Sequence, residues 1–203
     1  LRATTPAADA ALILKLDGAP DPRGWLDARL AALRAALGGP RTGAPICLVD
    51  ERFADATMPR LFAAATHYIS LSRGEGWDLP MVEAAAAGLR LIAPDHTAYK
   101  TYLDASCAQL VPSRPAPVAF APWEEPNPLF FGAEWQSPDE NAAVAAVRRA
   151  VDGGDGALEP PRERILQAFT WDRAARTLLA SLAAAAPHRA RRRWRPAVPW
   201  TRR

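Results

Sequence analysis

The sequence predicts an α/β fold built on a doubly wound parallel sheet, followed by C-terminal helices. Short apolar runs alternate with longer segments of helical periodicity, and the connections between them are short. This alternation favours parallel strands joined by right-handed crossovers. Ligands of such sheets bind beyond the carboxyl ends of the strands. The loops that follow the strands are therefore where functional residues are expected.

The individual elements follow from local patterns. Strands are predicted where four to six apolar residues are bounded by turn residues, and helices where apolar residues recur at helical spacing. Glycines at 38–39 and at 88 predict two helix ends, because glycine adopts the left-handed conformation that closes a helix. The predicted strands are 11–16, 46–49, 67–72, 91–93 and 109–111, and the predicted helices are 24–37, 57–65, 79–87, 139–151 and 161–186. The last helix is expected to bend near Thr170, and the proline-rich stretch 114–128 is interpreted as an irregular loop.

Composition narrows the class of protein. With 203 residues and a hydrophobic fraction of 49%, the chain can form one large domain with a real core, which excludes disorder throughout. No apolar run approaches the roughly 20 residues that cross a bilayer, and no leader peptide opens the chain, which begins at Leu1 like a fragment. The two cysteines, Cys47 and Cys107, lie in apolar stretches and need no disulfide. A cytoplasmic location is therefore expected.

The net charge of +3 arises from a short tail. Residues 189–203 hold seven arginines and no acidic residue, so the rest of the chain carries 3 − 7 = −4. We predict a domain over 1–186 and a disordered Arg-rich tail over 187–203. The tail is interpreted first as a solvated extension, with weak contact to an anionic membrane surface or unspecific attraction to nucleic acid as alternatives. No specific nucleic-acid partner is expected.

The segment 70–88 carries the strongest functional signal. A turn holds Glu75 between Gly74 and Gly76, which allow the backbone to approach a ligand closely. A helix with proline in its first turn follows, and the backbone N–H groups of residues 77–81 are expected to be free. Because a helix N-terminus attracts anions, the segment predicts a site for a diphosphate.

Two glutamates in this segment are candidates for contact with a sugar. Glu75 lies in the turn, where its carboxylate can accept hydrogen bonds from sugar hydroxyls. Glu83 would face the ligand crevice and hold a ribose diol if Leu79 and Val82 face the sheet. The alternatives are that Glu75 only caps the helix and that Glu83 is an ordinary solvated residue.

Residues 72–84, with the sequence Ser-Arg-Gly-Glu-Gly-Trp-Asp-Leu-Pro-Met-Val-Glu-Ala, resemble the Glu–seven–Glu motif of retaining GT-B glycosyltransferases. That large group includes the family 4 enzymes and the sucrose and glycogen synthases. The resemblance covers roughly residues 10–185 and is highly specific only at 70–88. It implies the nucleotide-sugar-binding, Rossmann-like C-terminal domain of such an enzyme. It also implies sugar transfer from a nucleoside-diphosphate sugar with retention, without metal or cofactor, to a glycan or lipid-linked acceptor.

The resemblance also assigns roles to individual residues. It makes Glu75 the catalytic candidate and gives Glu83 the ribose, while the amides after Glu75 would contact the donor sugar and phosphates. Asp78 departs from the family, in which glycine is usual, and would either repel phosphate or bond to a sugar. The predicted substrate-binding residues are Glu83, Gly76, Trp77, Asp78, Leu79, Arg73 and Lys15.

Several of these residues have plainer interpretations. Arg73 is as well explained by a surface salt bridge, Trp77 by a core anchor and Lys15 by a solvated strand end. His96, near the expected donor, is more readily a polar loop residue than an acid or base. The family's Arg/Lys loop and acceptor domain are absent from the sequence. Two hypotheses therefore stay open, the donor-binding portion of an enzyme and a non-catalytic nucleotide-sugar-binding remnant.

Overall fold

The computed structural model of the chain describes residues 10–16, 21–36, 44–120 and 126–189. These residues divide into two compact units, with the boundary between Arg162 and Glu163. Every strand of the described chain belongs to the first unit, and the second consists of helical segments. The predicted α/β class is confirmed for the first unit.

A parallel pair of strands and the helix between them open the described chain. Strand β1 spans Leu12–Lys15, helix α1 spans Pro22–Ala36 and strand β2 spans Ile46–Val49. Leu12 pairs with Ile46 and Lys15 with Val49, in parallel register. No residue of α1 is fully buried, so this helix contributes little to the core of the described chain.

A three-stranded parallel sheet forms the centre of the first unit. Its strand order is β3-β4-β5, so neighbours in the sheet are also neighbours in the chain. The largest buried side chains of the described chain, among them Met81, Leu91 and Tyr99, belong to this sheet and its connections. The elements are α2 Met58–Ala63, β3 His67–Ile69, α3 Leu79–Ala87, β4 Arg90–Pro94, α4 Tyr99–Tyr102 and β5 Ala108–Val111. Within the described residues, β1–β2 and β3–β5 are separate hydrogen-bonded sheets rather than one continuous sheet.

The predicted irregular loop over 114–128 is wrong at its start. Strand β6, Ser113–Pro117, pairs antiparallel with strand β7, Glu134–Pro138. In a pair of only two strands each strand has a free edge, and proline is tolerated where its missing N–H would face that edge. Pro138 therefore ends β7, and helix α5, Glu140–Val151, begins after Asp139.

The second unit contains the rest of helix α6, Arg162–Ala168, and helix α7, Trp171–Arg189. The break at residues 169–170 confirms the predicted bend near Thr170. The predicted tail begins at 187, inside the last turn of α7, and its remainder, 190–203, lies outside the described residues. Among the described helices, none combines the length and apolar character that a membrane span requires.

Candidate functional site

The candidate site is the loop that joins β3 to α3. The sheet hydrogen bonding continues one residue beyond β3, because the Ser70 N–H donates to the carbonyl of Ile92. Residues 71–78 then run without helix or strand to Leu79, the first residue of α3. This places the loop at the carboxyl end of β3, the edge at which parallel α/β sheets bind ligands.

Asp78 caps the N-terminus of α3. Its carboxylate Oδ1 accepts a hydrogen bond from the Met81 N–H at 3.1 Å. Its backbone is left-handed, with φ 58° and ψ 74°, a conformation that explains why glycine is suited to this position. The expectation of free N–H groups over 77–81 is therefore wrong at Met81, and Pro80 has no N–H to offer.

The loop after β4 fastens the site loop through three side chains. His96, which is 4% exposed, bonds through Nε2 to the carbonyl of Ser72 at 2.9 Å. The hydroxyl of the fully buried Tyr99 donates to Oδ2 of Asp78 at 2.7 Å. The hydroxyl of Tyr102 donates to the carbonyl of Trp77 at 2.9 Å. In this structure His96 is a brace for the loop.

Aromatic packing adds to these bonds. The rings of Trp77 and Tyr102 have centroids 5.3 Å apart, and those of His96 and Tyr99 are 5.6 Å apart in an edge-to-face arrangement. Such pairs contribute about 0.5–1.5 kcal/mol each beyond the area that they bury. Trp77 is half-buried, so its ring supports the turn and still presents a surface to solvent.

The β6–β7 hairpin holds the other side of the loop. The Gln136 N–H donates to the carbonyl of Arg73 at 2.9 Å. The Arg73 guanidinium lies over the ring of Trp135, 4.3 Å from its centroid. A cation at this distance from an indole face is attracted by the ring quadrupole. Arg73 is therefore held by stacking rather than by the salt bridge that the sequence left open.

The two glutamates make no hydrogen bond or ion pair to any described residue. Glu75 is half-buried in the turn, whereas Glu83 is exposed on α3. Leu79, one turn before Glu83 on the same side of the helix, is 54% exposed. The premise that Leu79 faces the sheet is therefore wrong, although Val82 is buried as expected.

A cluster of phenols lies beside these carboxylates. Burial raises the pKa of Tyr68 to about 12, and the negative charges of Asp78, Glu75 and Glu83 raise it further. Burial, followed by nearby carboxylates, also raises the pKa values of Tyr99 and Tyr102. One phenol thus responds to all three acidic residues, which places the three carboxylates around one side of β3.

Lys15 belongs to a different sheet from the site loop. Its Nζ donates to the carbonyl of Leu16 at 3.1 Å and lies 5.5 Å from the ring centroid of Phe53. Its strand is not hydrogen-bonded to the sheet that carries Glu75. The structure brings Glu75, Trp77, Asp78, Leu79 and Glu83 together, with Arg73 and Gly76 in the same loop.

A cavity of about 520 Å³ lies elsewhere in the first unit. Thr66 and Arg90, at the beginnings of β3 and β4, are among its lining residues, so it lies at the amino ends of these strands. Parallel sheets rarely bind ligands at this edge, and the site loop is the better candidate. In the described ranges, no three His, Cys, Asp or Glu side chains come close enough to hold a metal ion.

Structural comparison supports the assignment of the fold. No protein-family model and no curated protein sequence matches the chain. The chain is similar in structure to sucrose-phosphate synthase from Thermosynechococcus elongatus, with a TM-score of 0.57, 20% identity and coverage of 86% of this chain and 39% of that one. It is similar to alpha,alpha-trehalose 6-phosphate synthase from Burkholderia multivorans, with a TM-score of 0.55, 16% identity and coverage of 91% and 37%.

A third similar structure is TarM, with a TM-score of 0.51, 13% identity and coverage of 87% of this chain and 36% of that one. The chain has a Rossmann-like fold of the GT-B type. It spans about two fifths of the length of the solved structures that it matches. At these identities the likeness establishes the GT-B fold and leaves the chemistry to be argued from the site.

Sequence reasoning missed three residues that shape the site. Tyr102 and Trp135 hold the loop from segments 25 and 62 residues away, as the numbering of their partners Trp77 and Arg73 gives. Tyr68 lies in β3 itself. All three tyrosines of the chain belong to this one cluster, and that concentration is the signal that was available in the sequence.

Proposed function

We propose that this chain is the donor-binding portion of a retaining glycosyltransferase, which transfers a sugar from a nucleoside-diphosphate sugar to an acceptor. The observation that carries the proposal is the pair of unpartnered carboxylates, Glu75 and Glu83, at the carboxyl end of β3. A GT-B fold hosts nucleotide-sugar chemistry in the proteins named above, and the site loop occupies the ligand edge of its sheet.

The positions of the two carboxylates suit different parts of such a donor. Glu83 is exposed on α3 and can accept two hydrogen bonds from a ribose diol. Glu75, half-buried in the turn, is placed to accept from sugar hydroxyls and to stabilise positive charge that develops at the anomeric carbon. Leu79 adds an apolar surface on the Glu83 side of the helix.

The glycines of the loop support a ligand-binding role. A Cβ built on Gly74 or Gly76 meets no described atom within 4 Å. Crowding by the chain itself therefore gives no reason for glycine at either position, whereas a ligand that contacts the backbone would give one. On this proposal Gly76 and the backbone after it lie against the donor.

Catalysis by this site would be mainly positioning and electrostatic stabilisation of the departing diphosphate. Arg73, stacked on Trp135, supplies one positive charge at the loop. The sequence resemblance assigns the remaining cations to an Arg/Lys loop outside this sequence. No metal or cofactor is part of the proposal.

The first test is calorimetric titration of the chain with UDP, GDP and ADP, repeated with Glu83→Gln. Loss of a charged acceptor that holds a diol is worth roughly 1.5–3 kcal/mol, so the preferred nucleotide should bind about tenfold more weakly or worse. Glu134→Gln, at the exposed start of β7, removes the same charge outside the loop and should leave affinity unchanged. Equal affinity in both variants and the unchanged chain contradicts the ribose role of Glu83.

The second test uses the glycines. Gly76→Ala should leave the free energy of unfolding within about 0.5 kcal/mol of the unchanged chain, because its Cβ points into open space. It should weaken nucleotide-sugar binding if the donor lies against the backbone there. Binding that is indifferent to Gly76→Ala would move the donor away from the loop.

A non-catalytic nucleotide-sugar-binding module is the second candidate. The observation that favours it is the accumulation of three acidic side chains, Glu75, Asp78 and Glu83, around the proposed site. Slow release of free sugar from a bound nucleotide sugar, abolished by Glu75→Gln, would favour the enzyme. Tight binding with no turnover, unaffected by Glu75→Gln, would favour the module.

A further inference from the structure

Asp78 is held at the start of α3 in an arrangement that a helix cap alone does not require. Its side chain accepts from the Met81 N–H, which satisfies one of the helix's unpaired donors. Its backbone is left-handed, a conformation that costs a residue with a Cβ about 1 kcal/mol or more. A cap formed from an ordinary extended conformation would avoid this cost.

The second carboxylate oxygen is held from the opposite side. The Tyr99 hydroxyl reaches Oδ2 at 2.7 Å, and the same hydroxyl lies 2.9 Å from the Ser70 Oγ. Because Tyr99 is fully buried, this donor cannot move without disturbing the core. The carboxylate is thus fixed between the helix terminus and a buried phenol.

Few donors are left at the helix terminus for a ligand. Pro80 has no N–H, and the Met81 N–H is taken by Asp78. Within the first turn of α3, the Leu79 N–H is the donor without a partner among the described residues. The positive end of the helix dipole already faces one fixed negative charge.

The nearby basic residues do not offset that charge. Arg73 is stacked on Trp135, and the Lys100 Nζ is 3.1 Å from Oδ1 of Asp95. These are the lysine and the arginine of the two loops, 70–78 and 95–102, that form the site. A phosphate that approached α3 would meet the Asp78 carboxylate before any uncommitted cation of these loops.

We infer that Asp78 is a specificity-determining residue, an internal anion that competes with the diphosphate of a ligand for the N-terminus of α3. The inference rests on the proposed function and adds a ranking of ligands. The site holds the nucleoside and sugar parts of a donor more favourably than its diphosphate. The diphosphate becomes tightly held only when the Asp78 charge is removed or an added cation offsets it.

The test compares Asp78→Asn with the unchanged chain by calorimetry, using a nucleoside diphosphate, the corresponding nucleoside and inorganic pyrophosphate as probes. Asparagine caps helices and tolerates the left-handed conformation, so the variant removes the charge with little change in geometry. Asp139→Asn is the matched control, because Asp139 caps α5 by accepting from the Ala142 N–H at 2.8 Å.

Asp78→Asn is expected to raise the affinity for the nucleoside diphosphate and pyrophosphate roughly tenfold or more, through loss of a like-charge repulsion at close range. Nucleoside affinity should be unchanged, and Asp139→Asn should alter neither. Asp78→Gly, which suits the left-handed backbone, should raise diphosphate affinity in the same way and confirms that the charge is responsible.

Each other outcome overturns a defined claim. If the nucleoside diphosphate binds the chain and Asp78→Asn equally, or binds the variant more weakly, the competition is refuted while the proposed function stands. If the Asp139→Asn control raises affinity as much, the effect belongs to overall charge and the inference fails. If no probe binds the chain, Asp78→Asn or Asp78→Gly at millimolar concentration, both the inference and the proposed function are overturned.

Discussion

Helices α3 and α5 begin with the same chemical device, yet they differ in what surrounds it. In each, an aspartate accepts a hydrogen bond from the N–H three residues later, Met81 for Asp78 and Ala142 for Asp139. Asp139 does so with φ −69° and ψ 117°, an ordinary extended conformation, and is exposed. Asp78 is left-handed, half-buried and bonded to the buried Tyr99.

The helices differ in the same direction. Helix α3 buries four of its nine residues, whereas α5 buries two of its twelve. The ordinary cap of α5 proves that an aspartate can begin a helix of this unit without strain. The strained cap of α3 therefore follows from the path of the site loop, which is fixed by its bonds to the next loop. Strain that surrounding structure enforces is a feature of functional sites.

The largest expected effect tests the burial of α3. Met81 is 0% exposed, so Met81→Ala should lower the free energy of unfolding by about 2–5 kcal/mol. Val147→Ala in α5, at a position only partly buried against the core cluster, should cost clearly less. Urea denaturation of both variants gives the comparison, and equal losses would contradict the different burial of the helices.

The caps themselves should differ by a smaller amount. Asp139→Ala should cost about 1 kcal/mol, the usual value of a lost N-cap. Asp78→Ala should cost about 2 kcal/mol, because alanine in the left-handed conformation adds about 1 kcal/mol to the lost cap. Asp78→Gly should recover most of the difference. If both alanine variants lose the same stability, the strain at Asp78 is not real.

Coupling between side chains offers a finer test. Tyr99→Phe removes the donor to Oδ2 of Asp78, so its effect on stability should be non-additive with Asp78→Ala by about 0.5 kcal/mol or more. The same Tyr99→Phe change combined with Asp139→Ala should be additive. A double-mutant cycle measured by denaturation separates the two cases, and equal coupling with both aspartates would disprove the specific bond.

The smallest effect lies at alkaline pH. The pKa of Tyr68 is raised to about 12 by burial and by the acidic residues of the site, above its ordinary value of 10.0. A folded-state pKa above the unfolded value gives stability that is full below pH 10 and is lost as pH rises toward 12. Tyr68→Phe should reduce this loss, measured as unfolding free energy at pH 9 and pH 11.

A spectroscopic control is available because the chain has only three tyrosines, all in the same cluster. In the folded chain the near-ultraviolet absorbance of phenolate should develop mainly above pH 10. In urea-unfolded chain it should develop around pH 10. A native titration centred at 10 would show that the phenols are neither buried nor beside carboxylates.

Local patterns predicted the fold more fully than they predicted the site. Strand β2 and helix α3 were predicted with their observed bounds, since an apolar run between turn residues and a glycine stop at Gly88 are local signals. The hairpin strand β6 was missed because Ser-Arg-Pro-Ala-Pro has neither apolar alternation nor strand propensity. Its pairing with β7 depends on residues some twenty positions further along the chain.

The site residues were grouped correctly where the chain itself connects them. Glu75, Asp78 and Glu83 belong to one loop and one helix, so their proximity follows from sequence. The engagement of Asp78 by Tyr99 and of Arg73 by Trp135 depends on tertiary packing, which no spacing within the motif encodes. The roles of these residues toward a ligand stay predictions.

The two fastenings of the site loop also differ in when a growing chain can make them. The bonds from His96, Tyr99 and Tyr102 close loops of about 20–25 residues, which form early and at modest entropic cost. The bond from Gln136 to Arg73 must wait for more than thirty further residues to leave the ribosome. During synthesis the loop is therefore shaped first from one side, and Arg73 is the last of its residues to be secured.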